Sequence, residues 1–296
     1  MATLPPDVNV RSTQPDAVVD DDLPLPQSDC DEPFWRRTVV AERDGQVVGW
    51  ASVVLTPVHD LYFCDVQVSP PHRRQGIGTA LFRAVAALTD PSFPLLTRAM
   101  RSQPMRKLFA EATGCELVMH CPEPWADPTA PTWRRWVADH PVPVGYSAVP
   151  MREVSPEAVE AAWRSLYVWT NAPFAPVRTE GLAALWKDYR AGLDSDASMM
   201  ITAPEEGDAI AALSLVSPEA WEGRTFIVSE TVRPDQPDGD DLLQAAVAAS
   251  LQVLASRGIT KVELEGHTSD PHSPALLASL PKHDADPMEI LRLRRL

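Results

Sequence analysis

The sequence predicts a mixed α/β fold, an α+β arrangement on mixed sheets, built from two units of similar element order. Three observations carry this expectation. A β-hairpin signal spans residues 38–55, a strand, a tight basic turn and a helix follow over 61–88, and hairpin, strand, helix, strand and helix recur after residue 144. Such recurrence reads as a duplication of one unit of about 130 to 150 residues, in keeping with a 296-residue chain.

Residues 1–33 carry Asp7, Asp16, Asp20, Asp21, Asp22, Asp29, Asp31 and Glu32 against Arg11 alone, with five prolines before Pro33. An extended or partly disordered segment is expected there. The hairpin joins TVVAER to QVVGWASVVL through Asp44-Gly45, a dipeptide suited to a two-residue turn. A strand over 61–68 leads into a turn at Ser69–Arg74. The helix behind it shows Leu81, Val85 and Leu88 at helical spacing. A short strand over 94–98 and a helix over 105–112, capped by Gly114, close a first domain spanning 34–120. Residues 121–143, with Trp125, Trp133 and Trp136 among prolines, read as a linker packed across a surface.

The second domain is expected to span 144–296. Its order is a strand at 145–149, helices at 156–169 and 179–192, and strands at 199–202, 209–217 and 225–232. A long helix at 241–257, a strand at 260–264, a short helix at 274–280 and a last strand at 288–293 complete it.

Forty-one acidic against 26 basic residues leave a formal charge of -15. Such a chain repels polyanions, so nucleic acid and anionic lipid are not its expected partners, and any phosphate it binds needs a local basic site. The longest uncharged helical stretch, Leu242–Ser256, is 15 residues, short of the roughly 20 that span a bilayer. MATLPPDVNV has neither a basic start nor an apolar core, so a cytoplasmic location is expected. Cys30, Cys64, Cys115 and Cys121 show no CxxC pair, and neither a disulfide nor a metal site is expected.

One local site answers the need for positive charge. Arg73-Arg74-Gln75-Gly76-Ile77-Gly78 lies between a strand and an amphipathic helix that Thr79 helps to open. Two glycines permit close backbone approach, successive amides converge on an anion, and two guanidinium groups add full charge. That combination suits a pyrophosphate.

With these residues the chain resembles the GNAT family of acyl-CoA-dependent N-acetyltransferases. The family fingerprint, Arg or Gln-x-x-Gly-x-Gly or Ala, is matched by Arg73, Gly76 and Gly78 within VQVSPPHRRQGIGTALF. The resemblance implies two tandem acyl-CoA N-acyltransferase-like domains and acetyl-CoA, or another acyl-CoA, as co-substrate. Arg73, Arg74, Gln75, Gly76, Ile77, Gly78 and Thr79 would grip the pyrophosphate. Val66, Gln67 and Val68 would hold pantetheine by their backbone, with the Val66 amide facing the thioester oxygen.

Amine attack on a thioester also needs a base for the ammonium proton and an acid for the thiolate. Here the sequence departs from the family. Ala110, beside Phe109, stands where many members carry an acid tyrosine, and Tyr62 stands where some carry a glutamate base. Asp65 and Tyr62 are the first candidates, since both lie on the strand expected to carry the thioester. Strand alternation puts them on opposite faces, so at most one can reach the thioester directly. His59, Asp60, His72 and Glu42 are further candidates, as are water relays. Each has a structural alternative: an ion-paired carboxylate for Asp65, a core aromatic for Tyr62, a turn residue for His72.

The matching turn of the second domain reads Arg233-Pro-Asp-Gln-Pro-Asp-Gly-Asp-Asp241. Two prolines remove amide donors and four aspartates repel phosphate, so a degenerate repeat is expected. Trp163, Tyr167, Trp169 and Trp186 could line a pocket or form core. The function expected is acyl transfer from acyl-CoA to a small-molecule or peptide amine, a cationic one given the chain's charge, by direct attack in the first domain. The alternatives are a CoA-binding protein without catalysis and an acyltransferase served by an acyl carrier protein. Family members usually place a strand and two helices before the hairpin. Only 37 residues precede it here.

Overall fold

The computed structural model describes residues 4–13, 18–32, 34–203, 207, 209–218 and 224–296. Parts of the acidic segment expected to be extended, residues 1–3, 14–17 and 33, lie outside the described residues. Two compact units emerge: residues 1–118 together with 289–296, and residues 119–288.

The first unit contains β1 (Val8–Ser12), β2 (Trp35–Arg43), β3 (Gln46–Leu55), β4 (Tyr62–Val68), α1 (Ile77–Ala86), β5 (Leu95–Met100), α2 (Pro104–Thr113) and the first half of β6 (Glu116–Cys121). The second contains β7 (Trp125–Ala126), α3 (Pro131–Asp139), β8 (Ser147–Pro150), α4 (Pro156–Asn171), α5 (Leu182–Ala191), β9 (Met199–Ala203), β10 (Ala209–Ser217), β11 (Thr225–Thr231), α6 (Gly239–Ser256), β12 (Val262–Leu264) and α7 (Ser273–Ser279). The last strand, β13 (Met288–Leu293), returns to the first unit.

Two sheets result, in the orders β1-β2-β3-β4-β5-β13-β6 and β7-β12-β11-β10-β9-β8. In the first, β2 and β3 pair around Asp44 and Gly45, both at positive φ, as the hairpin signal requires. Leu81, Phe82 and Val85 of α1 are fully buried against Val39, Ala51, Val53 and Cys64 on one face of the sheet. Leu88 is not part of that stripe: α1 ends at Ala86, and Leu88 is exposed.

Three expectations need correction. Part of the acidic N-terminal segment is a strand, since β1 pairs with β2 from Val8↔Arg43 to Ser12↔Val39. Beyond it, Val19 bridges Val47, the Trp50 indole donates to the Pro24 carbonyl at 2.8 Å, and the Thr38 amide donates to Asp29 Oδ1 at 2.8 Å. Apolar anchors and hydrogen bonds to β2 and β3 thus offset the segment's unfavourable composition. Among the described residues no helix precedes β2.

The expected linker is part of the second unit. Trp133 and Trp136, three residues apart on α3, are both buried and join a core containing Leu243, Val247 and Leu251 of α6. Finally, β13 was expected in the second domain and lies instead between β5 and β6 of the first sheet. Its Leu291 and Leu293 are buried in the core beneath α1. Strand pattern carries no information about which sheet accepts the strand.

All four cysteines are unpaired. Among the described residues no helix is long and apolar enough to cross a membrane, and no group of three His, Cys, Asp or Glu residues is placed to hold a metal ion.

Candidate functional site

The first sheet opens at β4. Parallel pairing of β4 with β5 involves Tyr62↔Leu95 and Phe63↔Leu96, and the two strands diverge beyond that point. Backbone polarity follows from the ends of β4. The Tyr62 amide donates to Pro94 O at 2.9 Å on the β5 side, whereas the Ser69 amide donates to Val48 O at 2.9 Å on the β3 side. With a period of two, the amides of Val66 and Val68 point toward β5, into the widening gap. On the other edge Gly49 lies opposite Val68, and a Cβ there would stand 2.9 Å from the Gln67 carbonyl oxygen. Only glycine lets β3 hold the end of β4 this closely.

Just past the gap the chain turns into α1. A single 3-10 turn, Pro70–His72, leads to Arg73, whose Nε donates to the Val68 carbonyl at 2.9 Å. This bond holds the guanidinium over the end of β4. Arg74 has φ 62° and an exposed side chain, an uncommon conformation for a residue with a Cβ. Gly76 caps α1 with φ 84°, which glycine adopts without strain. The first intrahelical bond runs from the Ala80 amide to Gly76 O, so the amides of Ile77, Gly78 and Thr79 have no partner within the helix. No acidic residue and no side-chain cap compensates this helix start. The Ile77 side chain itself is buried and anchors the helix. Phe109 of α2 packs beneath the turn, in edge contact with Phe82 and 3.4 Å from where a Cβ on Gly78 would be.

A third cation stands at the same turn. Arg43, the last residue of β2, donates through Nη1 to Gln75 Oε1 at 3.3 Å and lies 3.1 Å from His72 Nδ1. The other side of its guanidinium holds both Asp7 carboxylate oxygens, at 2.8 and 3.1 Å. Sequence reading missed Arg43 because about 30 residues separate it from the turn and only the sheet brings them together.

Tyr62 and Asp65 meet different surroundings. Tyr62 is buried between Trp35 and Phe93, with ring centroids at 5.5 and 6.0 Å, and its hydroxyl accepts from the Asp90 amide at 3.3 Å. It packs at the closed end of the β4–β5 pair. Asp65 lies on the sheet face turned away from α1, beside Gln67, whose amide donates to Asp65 Oδ1 at 3.0 Å. Arg106, on α2, pairs with Asp65 Oδ2 at 2.7 Å. Burial pushes the Asp65 carboxyl above the ordinary aspartate range, while Arg106, Gln67 and the Val66 amide pull in the opposite direction. Among the other candidates, Glu42 is paired with Arg11, His59 is buried, Asp60 is exposed, and Ala110 is fully buried.

The second unit repeats the scaffold and changes the turn. β11 pairs with β12 from Thr225↔Val262 to Ile227↔Leu264, and then the two part. Asp238 takes the capping position with φ 55°, and Asp240 and Asp241 fill the first turn of α6. These carboxylates neutralise the helix start from within. The remaining space over that start is taken by His272, since a Cβ on Gly239 would collide with its imidazole. His272 Nδ1 lies 3.1 Å from Glu230 Oε1 and 3.1 Å from Thr231 Oγ1. Trp163 and Trp186 are buried with ring centroids 5.0 Å apart, and Tyr189 stacks on the same indole, so these rings form core. Trp169 instead borders an open cleft of about 530 Å³ with Arg164, Leu182 and Arg233.

The sequence model of the Acetyltransferase (GNAT) family matches residues 9–92, the span from within β1 through β4, the turn and α1. No curated protein matches the sequence. Among solved structures, a tandem GNAT protein from the clavulanic acid biosynthesis pathway superposes with a TM-score of 0.62 at 19% identity, over 89% of this chain and 84% of that one. A GCN5-related N-acetyltransferase from Sphaerobacter thermophilus superposes with a TM-score of 0.61 at 17% identity, over 98% and 96%. Residues 9–92 therefore form a domain of the acetyltransferase (GNAT) family, and the chain as a whole has the fold of a tandem GNAT protein.

Proposed function

We propose that this protein transfers an acyl group from acyl-CoA to an amine, and that its first unit holds the donor. One observation carries the reading: the divergence of β4 from β5 ends at an uncapped helix start flanked by Arg73 and Arg74. The pyrophosphate fits that start, where the Ile77, Gly78 and Thr79 amides lack intrahelical partners and no carboxylate intrudes. Gln75 and Gly76 shape the turn. The Val68 and Val66 amides, farther into the gap, would hold pantetheine and the thioester oxygen, with Gln67 supplying the intervening backbone.

The chemistry asks each group for a definite contribution. Attack by an amine places negative charge on the carbonyl oxygen, and a preorganised amide such as that of Val66 stabilises it by about 3 kcal/mol. Asp65 is the base of choice, because it lies beside the gap with its side chain partly exposed, whereas the Tyr62 hydroxyl accepts from the Asp90 amide at the closed end of the β4–β5 pair. Ala110 has no proton to give, so the thiolate takes its proton from solvent. A net charge of -15 favours a cationic acceptor. In the second unit, Asp238, Asp240, Asp241 and His272 occupy the corresponding helix start, and that unit would hold no donor.

Calorimetric titration with acetyl-CoA, followed by a thiol-release screen over polyamines, aminoglycosides and peptide N-termini, tests this. One site per chain and thiol release with at least one amine are expected. Absence of acetyl-CoA binding would remove the basis of the reading, and binding without release for any amine would favour a CoA-binding protein.

A further inference from the structure

Arg43 stands at the phosphate turn without a role in the chemistry described so far. It belongs to β2, yet its Nη1 reaches Gln75 and the His72 ring, both within the turn that leads into α1. An arginine only donates, so in this contact His72 Nδ1 is the acceptor. Of the remaining fork, Nη2 donates to Asp7 Oδ1 at 3.1 Å, while Nε lies 2.8 Å from Oδ2 as an ion-pair contact and, although buried, makes no hydrogen bond. The carboxylate thus faces the Nε/Nη2 edge of the guanidinium, the edge that takes a carboxylate or a phosphate, and satisfies one of its two donors. Asp7 is about half exposed and comes from the acidic segment just before β1. The Arg43 guanidinium is the main cause that holds its carboxyl below the usual aspartate range.

We infer that Arg43 is a third phosphate-binding cation of the acyl-CoA site and that Asp7 is its internal counter-anion, displaced when a CoA phosphate arrives. The inference rests on the proposed donor site. A phosphate offers two oxygens to the same edge with more charge, so the exchange keeps the Nη2 bond, supplies an acceptor to the buried Nε donor and strengthens the attraction. An arginine beside two others, with no anion at hand, would be repelled from them. Asp7 removes that repulsion while the site awaits its donor. Being exposed, it gives up little on release, since ion pairs in contact with water contribute weakly.

The test compares full-length wild-type protein with Arg43→Gln and Asp7→Asn by calorimetry with acetyl-CoA. S-acetylpantetheine, which carries the thioester without phosphates, is titrated in parallel by NMR. Arg43→Gln should weaken acetyl-CoA by about tenfold, one charge-assisted contact's worth, and leave S-acetylpantetheine unchanged. Asp7→Asn should tighten acetyl-CoA severalfold, an effect that a damaged fold would not produce. Unchanged acetyl-CoA affinity in both variants would overturn the inference while leaving the donor site in place. Equal losses for acetyl-CoA and S-acetylpantetheine would also overturn it, by showing that Arg43 only supports the fold. If wild-type protein does not bind acetyl-CoA, the donor site itself is wrong and the inference falls with it.

Discussion

The Asp65 carboxylate and the Arg106 guanidinium meet at 2.7 Å, tying β4 to α2 beside the gap that β4 and β5 leave between them. Arg106 lies one helical turn before Ala110, so the side of α2 that reaches Asp65 carries a cation. If Asp65 is the base, Asp65→Asn should lower turnover by about 10² to 10⁴-fold and leave acetyl-CoA affinity within a factor of two. Arg106→Gln removes an influence that lowers the Asp65 pKa. The acid limb of kcat/KM should therefore move to higher pH in that variant, because the base must be ionised to act. Turnover of Asp65→Asn within a few-fold of wild type would make the carboxylate structural.

The last strand of the chain stabilises the first unit. β13 is an interior strand of that sheet, and Arg295, just beyond it, donates to the carbonyls of Ala86, Asp90 and Phe93 and to Thr89 Oγ1. Removing residues 289–296 would open the sheet between β5 and β6 and expose the core around Leu291 and Leu293. Such a truncated chain should lose acetyl-CoA binding and cooperative unfolding of the first unit. Arg295→Ala, a milder change, should lower stability by about 1–3 kcal/mol in urea titration. Full acetyl-CoA binding by the truncated chain would show that β13 is dispensable.

Local signals were legible and distant pairings were not. The Asp44-Gly45 turn, the β4-turn-α1 unit and the Gly114 cap announce themselves within a few residues, and the structure has each of them. By contrast, β1 pairs with a strand about 30 residues away, and β13 enters a sheet whose other strands end near residue 121. Nothing in VNVRS or MEILRL identifies the partner. The same limit hid Arg43 and Arg106, since their charges become informative only when pairing brings them to His72, Gln75 and Asp65. In the second unit the aspartates were visible in the turn, but His272 lies after α6 and β12 and reaches the start of α6 only through tertiary packing.

Stoichiometry tests whether the two helix starts differ as their surroundings imply. At α1 the start is cationic and uncapped, and at α6 it carries Asp240 and Asp241 beneath His272. Calorimetry should give one acetyl-CoA per chain. Arg73→Glu should abolish binding by adding repulsion and losing the bond to Val68 O, while Arg233→Glu should be silent. Two sites of similar affinity would contradict the contrast drawn between the turns.

The second unit also carries a pH dependence that can be signed. Glu123 is buried with φ 45°, and its carboxyl is pushed up to about 8, first by burial and then by the charges of Glu263, Glu265 and Asp286. Glu263 is itself paired with Arg224 at 2.7 Å, and the hydrogen bond between Glu263 and Glu123 favours the protonated Glu123 carboxyl. Because the folded pKa lies above the value of 4.5 for a free glutamate, the folded state binds the proton more tightly than the unfolded chain. This stabilisation is fully present below pH 4.5, declines as pH rises, and is gone above about 8. Its slope in that window is at most about 1.4 kcal/mol per pH unit. Glu123→Gln keeps a donor toward Glu263 and removes the titration. Thermal unfolding from pH 5 to 9 should therefore show a flatter profile for Glu123→Gln than for wild type, with the variant the more stable of the two near pH 9. Parallel profiles would mean that Glu123 is already ionised in the folded protein and that its pairing with Glu263 holds no proton.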